Sequence, residues 1–130
     1  MPTEWEWQQA ATGGQRGNEY PWGSGWREGC ANTSESRLSR TTAVGLYPAG
    51  ASAQGVLDLA GNVWEWCLNE YEDPRRTAVG VDARRVVRGG SWGSSRGNAR
   101  CACRGHFVVP GARSYYLGLR LVCVSPILKR

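Results

Sequence analysis

Asp58-Leu59-Ala60-Gly61-Asn62-Val63-Trp64-Glu65-Trp66 sets three oxygen-bearing side chains among large apolar ones. Asp58, Gly61 and Asn62 are turn formers, whereas Val63, Trp64 and Trp66 favour burial, so Glu65 between two tryptophans needs a partner for its charge. A guanidinium could supply it, since 15 of the 16 basic residues are arginines. A hard cation held by carboxylates and backbone carbonyls could do so equally. The spacing is not that of an EF-hand, because Ala60 stands where a third side-chain ligand is required.

Thiols are the other reactive groups. Cys30, Cys67, Cys101, Cys103 and Cys123 are odd in number and form no C-x-x-C pair, so neither a disulfide framework nor a tetrahedral zinc site is written in the spacing. Cys101-x-Cys103-x-x-His106 brings two thiols near the single histidine, but an alternating strand would turn His106 away from both. Reduced thiols are expected, and with them a cytoplasmic setting.

A chain of 130 residues is expected to form one domain, 1–130, and to bury roughly two-thirds of its unfolded surface. Seven Trp and five Tyr against one Phe and one Met call for a core or binding face of rings with polar edges. Eighteen Gly and six Pro call for many loops. The net charge of +5 rests on dispersed arginines without a lysine stripe, which argues against nucleic acid as a partner. No apolar run is long enough for a membrane span, and the first residues lack the basic, apolar, small-residue order of a signal peptide.

The elements that must position these groups follow in order. Pro2-Thr3-Glu4-Trp5-Glu6 opens a helix, with Thr3 and Glu6 forming a capping box and Gly13-Gly14 ending it after Thr12. Residues 15–40 read as a loop pinned by Tyr20, Trp22 and Trp26. Strands are predicted at Thr41–Tyr47, Val63–Leu68, Arg85–Arg88, Arg100–Arg104 and, most clearly, Gly118–Val124. Short strands, one or two helices and long loops make an irregular α+β domain.

Several of these segments, in order and in register, resemble the formylglycine-generating enzyme (sulfatase-modifying factor) family. They are Met1-Pro2-Thr3-Glu4-Trp5-Glu6-Trp7, Tyr20-Pro21-Trp22-Gly23, Asn32, Thr41-Thr42-Ala43-Val44-Gly45, Gly61-Asn62-Val63-Trp64-Glu65-Trp66, Arg88-Gly89-Gly90-Ser91-Trp92, Arg100-x-x-x-Arg104 and Gly118-Leu119-Arg120-Leu121-Val122. The resemblance implies a variant of the C-type lectin fold, with a small twisted antiparallel sheet, two helices and much irregular structure. It also implies a structural calcium ion on Asp58, Gly61, Val63 and Glu65. A second family calcium site, near Asn32, lacks its acids here. The family's early strands have no counterpart in this chain, which leaves a reduced domain, a piece of a larger protein, or a chain completed by a second copy or a partner.

The family's oxidases hold copper on two cysteines five apart after the Gly-Gly-Ser corner. Those positions fall at about Ser94 and at Asn98 or Ala99, none of them cysteine. A thiolate pair has no hydroxyl substitute, so no copper is expected. Iron-dependent sulfoxide synthases share the fold, and Arg104–Arg120, with Phe107, Pro110, Arg113 and Tyr116, resembles their C-terminal part; a chain with one histidine could be at most their substrate-binding portion. Either enzyme reading would make this an oxygen-using, metal-dependent domain or a fragment of one.

The third use of the fold is binding. Variable proteins of diversity-generating retroelements carry their diversified region in the same Gly-Gly-Ser-Trp to Gly-Leu-Arg frame, where adenine-directed mutation of AAY codons cannot produce Lys, Glu, Gln, Met or Trp. Residues 85–120 hold no Lys, Glu, Gln or Met, and their one Trp, Trp92, belongs to the frame; Glu and Gln occur 12 times before them. A surface loop poor in these residues by chance would read the same way. The expected ligand face comprises Trp92, Ser94, Ser95, Arg96, Asn98, Cys101, Cys103, His106, Arg113, Ser114, Tyr115 and Tyr116, residue types that suit a protein or peptide ligand.

Overall fold

The computed structural model describes residues 1–80 and 82–124, with the side chains of residues 106–108 outside that description. Helix α1 spans Glu4–Thr12. Thr3 accepts the Glu6 amide at 3.2 Å while the Glu6 carboxylate accepts the Thr3 amide at 2.7 Å, the reciprocal cap written in the sequence. The helix ends where Gly13 adopts φ 60° and donates to the Gln9 carbonyl. Glu4, Trp7 and Ala11 recur at helical spacing and form the buried stripe.

That stripe lies on a four-stranded sheet made of β1 (Trp64–Glu70), β2 (Arg85–Arg88), β3 (Arg104–Val108) and β4 (Leu117–Gly118), in the order β3-β2-β1-β4. β2 pairs antiparallel with both β1 and β3, but β4 runs parallel to β1, with Trp64 opposite Leu117 and Glu65 opposite Gly118. The sheet is therefore mixed. Alternation along β1 buries Glu65, Cys67 and Asn69, while Trp64, Trp66 and Leu68 are half-buried on the opposite face. Glu65 and Asn69 bond to the helix, so their face is the one α1 covers.

Two clusters form the core among the described residues. Trp7, Ala11, Leu59, Cys67, Val86 and Cys101 pack between helix and sheet. Tyr20, Ala31, Ala60 and Ala99, with Trp22 and Trp26 against them, pin the long early loop as expected. Tyr20 stacks on Trp22 at 5.0 Å, and Trp26 meets both rings edge-on.

Three predicted strands are displaced or absent. Thr41–Tyr47 forms no strand, because the Thr42 amide and carbonyl are taken by the Asn62 side chain instead of a neighbouring ladder. Residues 100–102 turn, with the Cys103 amide on the Arg100 carbonyl, and pairing begins only at Arg104. Of Gly118–Val124 only Gly118 pairs: among the described residues β4 is an edge strand, and residues 119–124 meet no ladder. Leu121, in the middle of that predicted strand, is 76% exposed for the same reason. No helix among the described residues is long and apolar enough to cross a membrane.

Candidate functional site

The central motif turns tightly before it becomes β1. Gly61 has φ 76°, and a Cβ there would stand 2.3 Å from the Asn32 carbonyl oxygen, so only glycine fits. Asn62 follows at φ 68°, its amide on that same carbonyl at 2.8 Å. These contacts aim Glu65 into the core. Its Oε2 accepts the Trp7 indole N–H at 2.7 Å and Arg120 Nε at 2.6 Å, and its Oε1 accepts Arg120 Nη2 at 2.7 Å. The guanidinium is thus one partner of the buried acid, in the bidentate geometry that makes such pairs strong.

Asp58 and Glu65 line one cavity of 550 Å³ together with Asn62, Val63, Leu119 and Arg120. Gly61 is buried beside it. Asp58 holds a left-handed φ of 57° and accepts the Gly45 amide at 2.7 Å through Oδ2. A carboxylate offers about four acceptor positions, and Glu65 has filled three. That leaves room for a monodentate contact to a hard cation and too little for a bidentate one. Asp58 carries the negative charge that Arg120 does not reach. On these terms the donor set is compatible with calcium, and Asp58 would be the principal ligand of such an ion.

The expected ligand residues divide. Ser95, Arg96, Asn98, Arg113, Ser114, Tyr115 and Tyr116 are exposed, and Trp92 and Cys103 are half-buried. Ser94 and Cys101 are buried: Ser94 Oγ sits 3.0 Å from Ser91 Oγ, and Cys101 belongs to the helix–sheet core. Those two serve the frame. His106 lies on β3, and its side chain is outside the described set. Trp92 stacks on Tyr116 at 4.6 Å and donates its indole N–H to the Tyr115 carbonyl, joining the two halves of the face. Between them Ser94, Ser114, Tyr116, Trp64, Val87 and Leu117 line a cavity of 350 Å³. Gly93 permits this, since a Cβ there would meet the Tyr116 ring at 2.6 Å.

Residues 94–96 are held from outside through main-chain atoms. The Ser94 carbonyl accepts the Ser34 amide at 2.9 Å, the Arg96 amide donates to Glu35 Oε1 at 2.9 Å, and the Arg96 carbonyl accepts the Tyr20 hydroxyl at 3.1 Å. Burial pushes the Glu35 carboxyl up, but the Arg96 amide and the Thr33 and Ser34 hydroxyls outweigh it and hold it below the usual range. Glu35 is therefore an ionised latch at neutral pH. Nothing in its loop sequence marks it, because the bond depends on a partner 61 positions away.

The Cys67 and Cys101 thiols are arranged for packing. Burial pushes Cys67 up to about 12 and Cys101 to about 11, so both are neutral at pH 7 and poor as nucleophiles or soft-metal ligands. Among the described residues no group of three His, Cys, Asp or Glu side chains converges.

An irregular α+β scaffold, with a Gly-Gly-Ser corner beside a tryptophan-lined cavity, defines a lectin-like domain class. The chain belongs to the sulfatase-modifying factor enzyme 1-like domain family, whose model matches residues 1–124. It is 39% identical over 130 residues to the serine/threonine-protein kinase Pkn1 of Chlamydia trachomatis, covering 92% of this chain and 20% of that protein. It is 36% identical over 140 residues to the inactive C-alpha-formylglycine-generating enzyme 2 of Mus musculus, covering 96% and 42%. Variable protein 1 of Treponema denticola superposes with a TM-score of 0.75 at 29% identity, covering 92% of this chain and 45% of that one. The chain thus spans less than half the length of each.

Proposed function

We infer that this domain is a non-catalytic ligand-binding module whose variable face is carried by residues 95–98 and 113–116, with calcium steadying the scaffold at Asp58 and Glu65. The observation that carries the reading is the main-chain attachment of Arg96, through its amide to Glu35 and its carbonyl to Tyr20, which any residue but proline at that position would preserve. The exposed Ser95, Arg96, Asn98, Arg113 and Tyr115 side chains are then free for an incoming protein or peptide, in the mixture of rings and small polar groups that makes adaptable binding surfaces. The codon-restricted composition of residues 85–120 extends the reading to a retroelement-diversified protein, and the likeness to a variable protein supports it.

Catalysis by the family's copper route finds no support in the site. Ser94 is buried against Ser91, Ala99 is a packed core residue, and the buried thiols nearby are held neutral. The test has two arms. A displayed library randomised at Ser95, Arg96, Asn98, Arg113 and Tyr115 should stay folded and yield specific binders, whereas the parent with copper and a Cys-x-Pro-x-Arg peptide should leave the peptide mass unaltered. Aldehyde formation that depends on Cys101 or Cys103 would overturn the reading.

A further inference from the structure

The 350 Å³ cavity at Trp64 has a neighbour. Trp66, two residues along β1 on the same face, lines a second cavity of 310 Å³ with Val79, Gly80, Arg85, Pro110, Gly111 and Leu119. Ala112 lines both cavities, so they adjoin along the outer face of the sheet. Two residues of extended chain separate the tryptophans by roughly 6.6 Å, which is also the repeat between same-side side chains of any extended polypeptide laid along the strand.

The second cavity differs from the first in charge. Arg85 is only 6% exposed, and its guanidinium donates to two neutral carbonyls, Leu68 at 2.7 Å and Ala78. It takes part in no ion pair among the described residues, and its cross-strand neighbour Glu70 lies 3.5 Å from Arg76 instead. A buried guanidinium that meets no carboxylate among the described residues, its neighbour Glu70 being turned to Arg76, favours an incoming anion, because the carbonyls neutralise none of its charge. Among the described residues no acidic side chain lines either cavity. Arg96 and Arg113, both exposed and outside every ion pair among the described residues, add positive charge near the first cavity.

We propose that the Trp66–Arg85 cavity is a carboxylate-accepting subsite continuous with the Trp64 cavity. The ligand it fits is an extended acidic polypeptide segment, with an apolar side chain over Trp64 and an Asp or Glu side chain two residues along, against Arg85. This rests on the binding-module reading and adds the chemistry of the ligand to it.

The experiment uses capped pentapeptides Gly-Leu-Gly-Asp-Gly and Gly-Leu-Gly-Asn-Gly, titrated into the whole protein while the Trp64 and Trp66 indole N–H signals are followed by NMR. The Asp peptide should shift both signals and bind at least about fivefold more tightly than the Asn peptide. Arg85→Lys should keep that preference and Arg85→Gln should lose it. If Arg85→Gln fails to fold, the Asp-against-Asn comparison on the parent still decides. Equal binding of the two peptides, or a shift at Trp64 alone, overturns the subsite and leaves the binding-module reading standing. No shift at either tryptophan at millimolar peptide overturns the subsite as well, and the library selection then decides the module by itself.

Discussion

The junction between α1 and the sheet is tied together by side chains, whereas the exposed residues 95–98 of the face are tied down through backbone atoms. At the junction Glu4, 2% exposed, accepts Arg88 at 3.2 Å and Arg104 at 2.8 Å, and Arg88 reaches on to Gln8 and the Cys101 carbonyl and lies over the Trp7 ring. Each of those residues is specified by its chemistry. At the face the anchoring atoms are the Ser94 and Arg96 main chain, and the specified partners are the distant Ser34, Glu35 and Tyr20. One region commits its side chains to the fold, and the other leaves those of Ser95, Arg96 and Asn98 exposed.

Breaking the first region should therefore do the greatest damage. Glu4→Ala removes the counter-charge of Arg88, which is only 4% exposed, and should destabilise by about 3 to 5 kcal/mol. Chemical denaturation reads this directly. A loss below about 1 kcal/mol would mean that the junction is no more demanding than the face.

Calcium should have a smaller effect, since a ligand at a hundred times its Kd adds about 2.7 kcal/mol. EDTA should lower the melting temperature and added calcium restore it, and Asp58→Asn should abolish that response while keeping the bond to the Gly45 amide. If the melt ignores EDTA and Asp58→Asn matches the parent, Arg120 and Trp7 alone satisfy Glu65 and no cation belongs to the scaffold.

Local signals were legible in the sequence where they were self-contained. The Thr3–Glu6 box and Gly13 delimit α1 within one helix, so no distant residue was needed to place it. The need for a partner at Glu65 could likewise be read from its tryptophan neighbours. Which arginine supplied it could not, because Arg120 is 55 residues away and competes with 14 others. Gly118–Val124 failed for a related reason: its β-prone composition is real, but a strand exists only beside a partner, and β4 ends the sheet. Ser94 and Cys101 were assigned to the face by codon type, a property blind to burial. Glu35 was missed because its role is a single bond to a backbone amide.

The smallest effects should come from the face itself, and they test the account most directly. A variant replacing Ser95, Arg96, Asn98 and Tyr115 together should lose no more than about 0.5 kcal/mol per substitution, as exposed changes away from caps and core do. In the same variant the amide at position 96 should remain protected from hydrogen exchange as in the parent, since Glu35 binds the backbone and not the side chain. Glu35→Ala should strip that protection. If the quadruple variant unfolds, or if its position-96 amide exchanges freely while Glu35 is intact, the face is held by its side chains and is not a separable binding surface.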